Sequence, residues 1–158
     1  MIRAGTLRAE TGHRRRPSGQ ALVEFALVFP IMILIVGAII QFGVIFWAQN
    51  TLTQIARDTG RWEATQTSCS NASAVVTKAN EIAAQSALIG FTPGMWTSSN
   101  VSVSWQISGG EPCPPLDNSQ TSFVTVTIQH TVPIFFPWIP GDGNLSSSTQ
   151  FRVEPQPK

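Results

Sequence analysis

The chain has 158 residues, 42% hydrophobic and only 12% charged, with ten basic and nine acidic side chains for a formal charge of +1. That length suits one small folded domain of about 110 residues beside a single membrane segment, and the one basic patch, an N-terminal tail abutting an apolar run, reads as a membrane-orientation signal rather than a nucleic-acid surface. The charge is unevenly divided: before Gly19, Arg3, Arg8, Arg14, Arg15 and Arg16 stand against Glu10 for a net +4, whereas the rest carries five basic and eight acidic residues, a net −3.

The basic tail abuts the run "GQALVEFALVFPIMILIVGAIIQFGVIFWA". Residues 25–56 hold no charged side chain, and residues 25–48 are almost wholly apolar, Gln41 being the clear interruption. As a helix rising ~1.5 Å per residue, that stretch reaches about 36 Å, enough for a ~30 Å hydrocarbon core with some tilt. It is too long for the apolar region of a cleaved secretory signal, and no small-residue cleavage site follows it. A basic tail in this position sets orientation, with arginines retained on the cytoplasmic side and everything after about residue 50 across the membrane.

The helix is expected to continue past the apolar run. In "NTLTQIARDTGRWEATQ", Leu52, Ile55, Ala56 and Trp62 share one helical face and Gln54, Arg57, Asp58 and Arg61 fall largely elsewhere. One helix over about residues 20–64 is therefore predicted, with Gly60 as its weakest point by about 1 kcal/mol of propensity. A second helix is predicted in "SNASAVVTKANEIAAQSALIG", with Val75, Val76, Ala79, Ile82, Ala83 and Ser86 as its stripe, Ser70 or Asn71 as its cap and Gly90 as its end. Strand alternation follows in "VSVSWQI" and in "FVTVTIQHTV", where either Phe123 or the set Val124, Val126 and Ile128 faces inward. "SGGEPCPPLDNSQ" is a connecting loop, "PIFFPWIPGDG" an apolar segment broken by prolines and suited to an exposed contact, and "SSSTQFRVE" a last strand before a polar tail. The predicted fold class is α+β, with a long N-terminal transmembrane helix continuing into an amphipathic half, then a second helix and a small antiparallel sheet.

Cys69 and Cys113 are the two cysteines, both assigned to the far side of the membrane, where disulfides persist. They are expected to pair. A catalytic cysteine needs a base, and outside the tail the chain offers only His130, within a predicted strand. The sequence contains no glycine-rich phosphate loop, no Gly-x-Ser-x-Gly turn and no His and carboxylate cluster at metal spacing, so no catalytic residue, cofactor or metal site is expected. Glu63, Glu81, Glu111, Asp117, Asp142 and Glu154 are scattered, which reads as solvated surface charge.

One residue resists the description of a plain anchor: Glu24, a carboxylate at the edge of a lipid-seeking run. Gly19 lies between the basic tail and the helix, and a cut after it makes Gln20 the first residue and Glu24 the fifth. This pattern resembles the type IV prepilin processing signal. More closely, the run is similar to the TadE-like family of pilus-assembly pseudopilins, on Gly19, Glu24, Phe25 and "FALVFP" through Pro30, then "QFG" at residues 41–43 and "ARDTGR" at residues 56–61. Where many relatives have an acid this chain has Gln41, and where Ala is common it has Thr59.

The resemblance implies a processing site at Gly19 and Gln20, with Glu24, Phe25 and Pro30 serving recognition and assembly. It implies a minor pilin or pseudopilin whose partners are the membrane, a prepilin-type peptidase, other pilin or pseudopilin subunits and the pilus assembly machinery, with no nucleic acid. The expected organisation is a cytoplasmic basic leader over residues 1–19, a transmembrane helix over 20–48 and an extracytoplasmic α+β domain over 49–158 with a disordered C-terminal tail. The expected location is the inner membrane, single-pass. A signal-anchored envelope protein that binds a ligand or partner is the alternative, and an anchored enzyme a third reading.

Overall fold

The computed structural model describes residues 18–66, 69–107, 122–138 and 143–153. They form α1 (Ser18–Ala64), α2 (Ala72–Gln85), β1 (Val101–Ile107), β2 (Ser122–Thr131) and β3 (Asn144–Val153) in chain order. The fold is α+β, as the hydrophobic periods of the sequence indicate, and it divides into two units between Val36 and Gly37.

In the first unit α1 is apolar on every side, and each side chain of residues 19–36 is exposed. A helix without a polar face has no aqueous side to present. Pro30 lies inside it and has no N–H to give the carbonyl of Ala26.

In the second unit the pattern of α1 becomes one-sided. Gln41, Ala48, Leu52, Ile55, Ala56, Thr59 and Glu63 are buried on successive turns, while Gln54, Arg57, Asp58 and Arg61 stay exposed. Gly60 does not interrupt the helix. A methyl group there would lie 2.8 Å from the ring of Phe151, so the glycine permits a close approach of β3.

Asn71 is the cap of α2: its Oδ1 accepts the N–H of Ala74 at 2.8 Å. The helix then stops at Gln85, one turn short of the expected end at Gly90. Ser86 ends it by adopting an extended conformation, its N–H donating to the Ala83 carbonyl and its Oγ to that of Ile82. These bonds satisfy carbonyls that the last turn leaves open. Gly90 turns the chain later, at φ +78°. Asn80 pins that connection to α2, accepting the Trp96 N–H at 3.2 Å and donating to the Trp96 carbonyl at 2.9 Å.

The strands form an antiparallel meander in the order β1, β2, β3, with Val103 opposite Val126 and Val126 opposite Thr149. Between the two faces open for β2, Val124, Val126 and Ile128 point inward and Phe123 outward. The inner face of β3 holds the hydroxyls of Ser147 and Thr149, and α1 supplies their partners. Thr149 Oγ1 donates to the Ala56 carbonyl at 3.0 Å, Ser147 Oγ to Thr53 Oγ1 at 3.3 Å, and Gln49 Nε2 to the Ser146 carbonyl at 3.1 Å. Leu52, Ile55, Val75, Ala79, Trp96, Val101 and the inward residues of β2 form the core between helices and sheet. Each large aliphatic side chain fully buried there contributes roughly 1.5 to 3 kcal/mol.

Glu63 corrects the reading of surface charge, for it is completely buried and its Oε1 accepts the N–H of Ser70 at 3.0 Å. Glu81 is exposed as expected and meets Lys78 at 2.8 Å. The basic leader, the loop over 108–121 that carries Cys113 and the tail over 154–158 lie outside the described residues.

Candidate functional site

The residues that the sequence singles out for processing and assembly all lie in the first two turns and the middle of the exposed stretch of α1. Gly19 is helical, and a side chain placed on it would meet no heavy atom within 4 Å. Neither a turn nor a close approach therefore explains the glycine. This contrasts with Gly60, whose reason is Phe151. Gly19 is the second residue of α1, where the helix-interior penalty of glycine does not apply.

One turn on, Gln20 Nε2 donates to Glu24 Oε1 at 3.2 Å. The contact is the i,i+4 pairing that helical geometry makes available. Glu24 thus has a local donor, on an exposed helix surface with no other charge until Arg57. Phe25 stacks on Phe29, again one turn away, with ring centroids 5.1 Å apart. Pro30 follows directly. Gln20 with Glu24 and Phe25 with Phe29 are thus two i,i+4 pairs on different faces of α1. The four-residue spacing already pairs residue 20 with Glu24; the structure adds that the Gln20 side-chain amide makes the contact.

Residues 19–61 match the model of the TadE-like protein family. The chain carries a TadE-like segment. That segment coincides with α1 almost from end to end, so the match reaches from the candidate processing site through Gly60 and leaves α2 and the sheet outside it. No curated protein and no solved structure matches the chain. By length and composition, α1 is also long and apolar enough to cross a membrane, with a mean hydropathy of 2.7 in its most apolar window.

Elsewhere the candidates for chemistry are absorbed by packing. His130 is nearly buried, its Nδ1 accepting the indole N–H of Trp96 at 3.4 Å and its Nε2 donating to the Ile89 carbonyl at 2.8 Å. The tautomer follows from these partners, since an indole N–H only donates and a carbonyl only accepts. Both ring nitrogens are committed, so the open cleft that His130 lines with Asn100, Gln129, Thr131, Asn144, Leu145 and Ser146 offers no free base. Among the described residues no group of three or more His, Cys, Asp or Glu side chains is placed to hold a metal ion. Cys69 is half-buried and is not a free thiol. Its expected partner, Cys113, lies outside the described residues.

Gln41, the interruption of the apolar run, has a structural partner that the sequence reading did not foresee. It is only 1% exposed, and its Oε1 accepts the N–H of Phe135 at 2.9 Å. The polar side chain in the apolar run therefore faces protein.

Proposed function

We propose that this protein is a minor pilin or pseudopilin of a Tad-type pilus system, synthesised as a precursor, cut after Gly19 by a prepilin-type peptidase and assembled through α1. The TadE-like segment and the long apolar N-terminal helix fit a pilus-associated pseudopilin at the level of the family. The observation that carries the finer reading is the placement of Glu24 one helical turn from Gln20 at the start of that segment. Cleavage turns the backbone nitrogen of Gln20 into an ammonium, on the residue whose side chain already reaches Glu24. A carboxylate costs ~2.5 to 3.5 kcal/mol at the bilayer centre and less near the edge, so a cationic partner matters to it. That partner is the chain's own terminus in the membrane and a neighbouring subunit's terminus in the assembly.

In this reading the arginines of residues 1–19 remain cytoplasmic, residues 20–48 span the inner membrane once, and residues 49–158 form the extracytoplasmic domain. Cys69 pairs with Cys113 there, tying the entry of α2 to the loop between β1 and β2. Phe25 and Pro30 shape the helix surface that neighbouring helices meet.

The N-terminal sequence of the membrane-extracted protein tests the processing step. The mature chain is expected to begin at Gln20, and Gly19→Val to remain uncut because a branched side chain crowds the peptidase subsite. An intact Met1 terminus in cells that contain the peptidase overturns the pilin reading in favour of a plain anchor.

A further inference from the structure

The loop after β2 has a closed base: the Val132 N–H donates to the Gly143 carbonyl at 2.9 Å, and Gly143 adopts φ +67°. A side chain on Gly143 would meet the Val132 carbonyl, so the hairpin closes there only with glycine. From that base, residues 133–138 run onto α1. Phe136 packs where Gly37 leaves room, its ring 3.3 Å from the position a methyl group would take, and the Phe135 N–H is held by Gln41 one turn later. Pro133 and Pro137 restrict the backbone on either side of these contacts.

The loop turns its remaining apolar groups outward. Ile134, Phe135 and Trp138 are 37%, 57% and 56% exposed, with Trp138 edge-on to Phe136 at 5.5 Å. The neighbouring surface of α1 is of the same kind: Ile39, Ile40 and Phe42 are exposed, and no charge occurs until Arg57. The level of attachment gives this surface its meaning. Eighteen helical residues, 19–36, rise about 27 Å, close to the ~30 Å of a hydrocarbon core. A core that begins instead at Phe25 ends near residue 44. Gln41 thus lies within about 6 Å of the far boundary under either count, and at that depth whatever solvates Ile39 and Ile40 also meets Phe135 and Trp138.

We propose that residues 133–138 are an interfacial anchor, with Ile134, Phe135 and Trp138 lodged in the boundary between headgroups and acyl chains of the leaflet where α1 leaves the membrane. Non-helical backbone is not tolerated against lipid in the hydrocarbon core, and the interface is where tryptophan is favoured, its ring apolar and its N–H wet. Gln41 accepts the Phe135 N–H, which faces the helix. The inference rests on the membrane-spanning reading of α1 and moves the far edge of the span from Ala48 to near Gln41.

The test uses the full-length protein in phosphatidylcholine nanodiscs, where both faces are open to solvent. Tryptophan emission is recorded for the wild type and for Trp138→Phe, and their difference is the signal of Trp138. That signal is expected to fall about twofold with phospholipid brominated near the headgroup, less with phospholipid brominated near the chain end, and little with iodide. A Trp138 signal quenched by iodide and untouched by either lipid overturns the anchor. So does a signal shielded from all three quenchers while Phe135 cross-links to a second protein chain. Extraction of vesicles with alkaline carbonate separates the two readings: a released chain removes the membrane span and the anchor with it, whereas a retained chain with iodide-quenched Trp138 removes the anchor alone.

Discussion

Leu27 and Leu52 are the same residue on the same helix, yet one is 69% exposed and the other not exposed at all. The first belongs to a stretch that none of the described residues covers, the second to a face covered by β3 and the core. The difference shows that α1 obtains its burial from two different surroundings. Past Gly37 the protein supplies them, through side chains some 90 residues later in the chain, as the bond from Thr149 to Ala56 illustrates. Before Gly37 none of the described residues does, and in the proposed reading lipid or other helices take that part instead.

A paired truncation breaks or keeps that comparison with the largest expected effect. Leu52→Ala is expected to destabilise the folded domain by about 2 to 5 kcal/mol, because it leaves a cavity among Ile55, Val75 and the sheet. Leu27→Ala is expected to change stability by less than about 0.5 kcal/mol. Denaturant unfolding of the full chain in detergent, followed by near-ultraviolet circular dichroism, measures both. Equal losses would mean that the first stretch also packs on the domain.

Reduction of the proposed disulfide comes next. In the chain-entropy account, a bridge from Cys69 to Cys113 closes a loop of about 45 residues and contributes about 3 to 4 kcal/mol. Reductant should lower the unfolding midpoint of the wild type and leave a Cys69→Ser, Cys113→Ser double variant unmoved. Mass spectrometry of the native protein should find no alkylatable thiol; two modified cysteines would overturn the pairing.

The two glycines give a smaller contrast of opposite sign. Gly60→Ala forces a methyl group against Phe151 and should cost about 1 to 3 kcal/mol as an overpacked site. Gly19→Ala meets nothing and should leave unfolding of the domain unchanged within about 0.5 kcal/mol. A neutral Gly60→Ala would show that β3 can move away without loss.

These contrasts also explain which parts of the molecule were legible in the sequence. The full length of α1 was, because an all-apolar run passing into a one-sided stripe is a local pattern, and so were β1, β2 and the cap at Asn71. Residues whose role depends on a distant partner were not. Glu63 reads as a surface acid until the Ser70 N–H is found bonded to it, and Gln41 as an imperfection until Phe135 arrives from 94 residues away. Ser147 and Thr149 hide the inner face of β3 for the same reason, since a hydroxyl looks solvent-facing unless a helix carbonyl or hydroxyl awaits it. The candidate site could be proposed from the sequence because it is local: Gly19, Gln20, Glu24, Phe25 and Pro30 lie at fixed spacings along one helix.

The smallest expected effect on the fold is at Glu24, and there the comparison becomes a statement about function. In the structure Glu24 is hydrogen-bonded to Gln20, and an exposed i,i+4 pair contributes about 0.2 to 0.5 kcal/mol. Glu24→Ala should therefore leave domain stability unchanged within measurement. Membrane insertion should persist or improve, because a carboxylate near lipid is removed. Cleavage after Gly19 should largely survive, since the bond cut lies five residues away. What should fail is assembly, with mature protein accumulating in the membrane while surface pili decline. Glu24→Asp should fall between, keeping the charge but shortening its reach by one methylene group. Gln20→Ala sharpens the assignment: it removes the amide that holds Glu24 but leaves the terminal ammonium, so it should retain most piliation. The variants are to be expressed in a strain lacking the native copy, with insertion, N-terminus and surface pili measured on the same cells. Normal piliation by Glu24→Ala would remove the assembly role and leave the carboxylate only its favourable position near the helix N-terminus, worth about 0.3 to 1 kcal/mol.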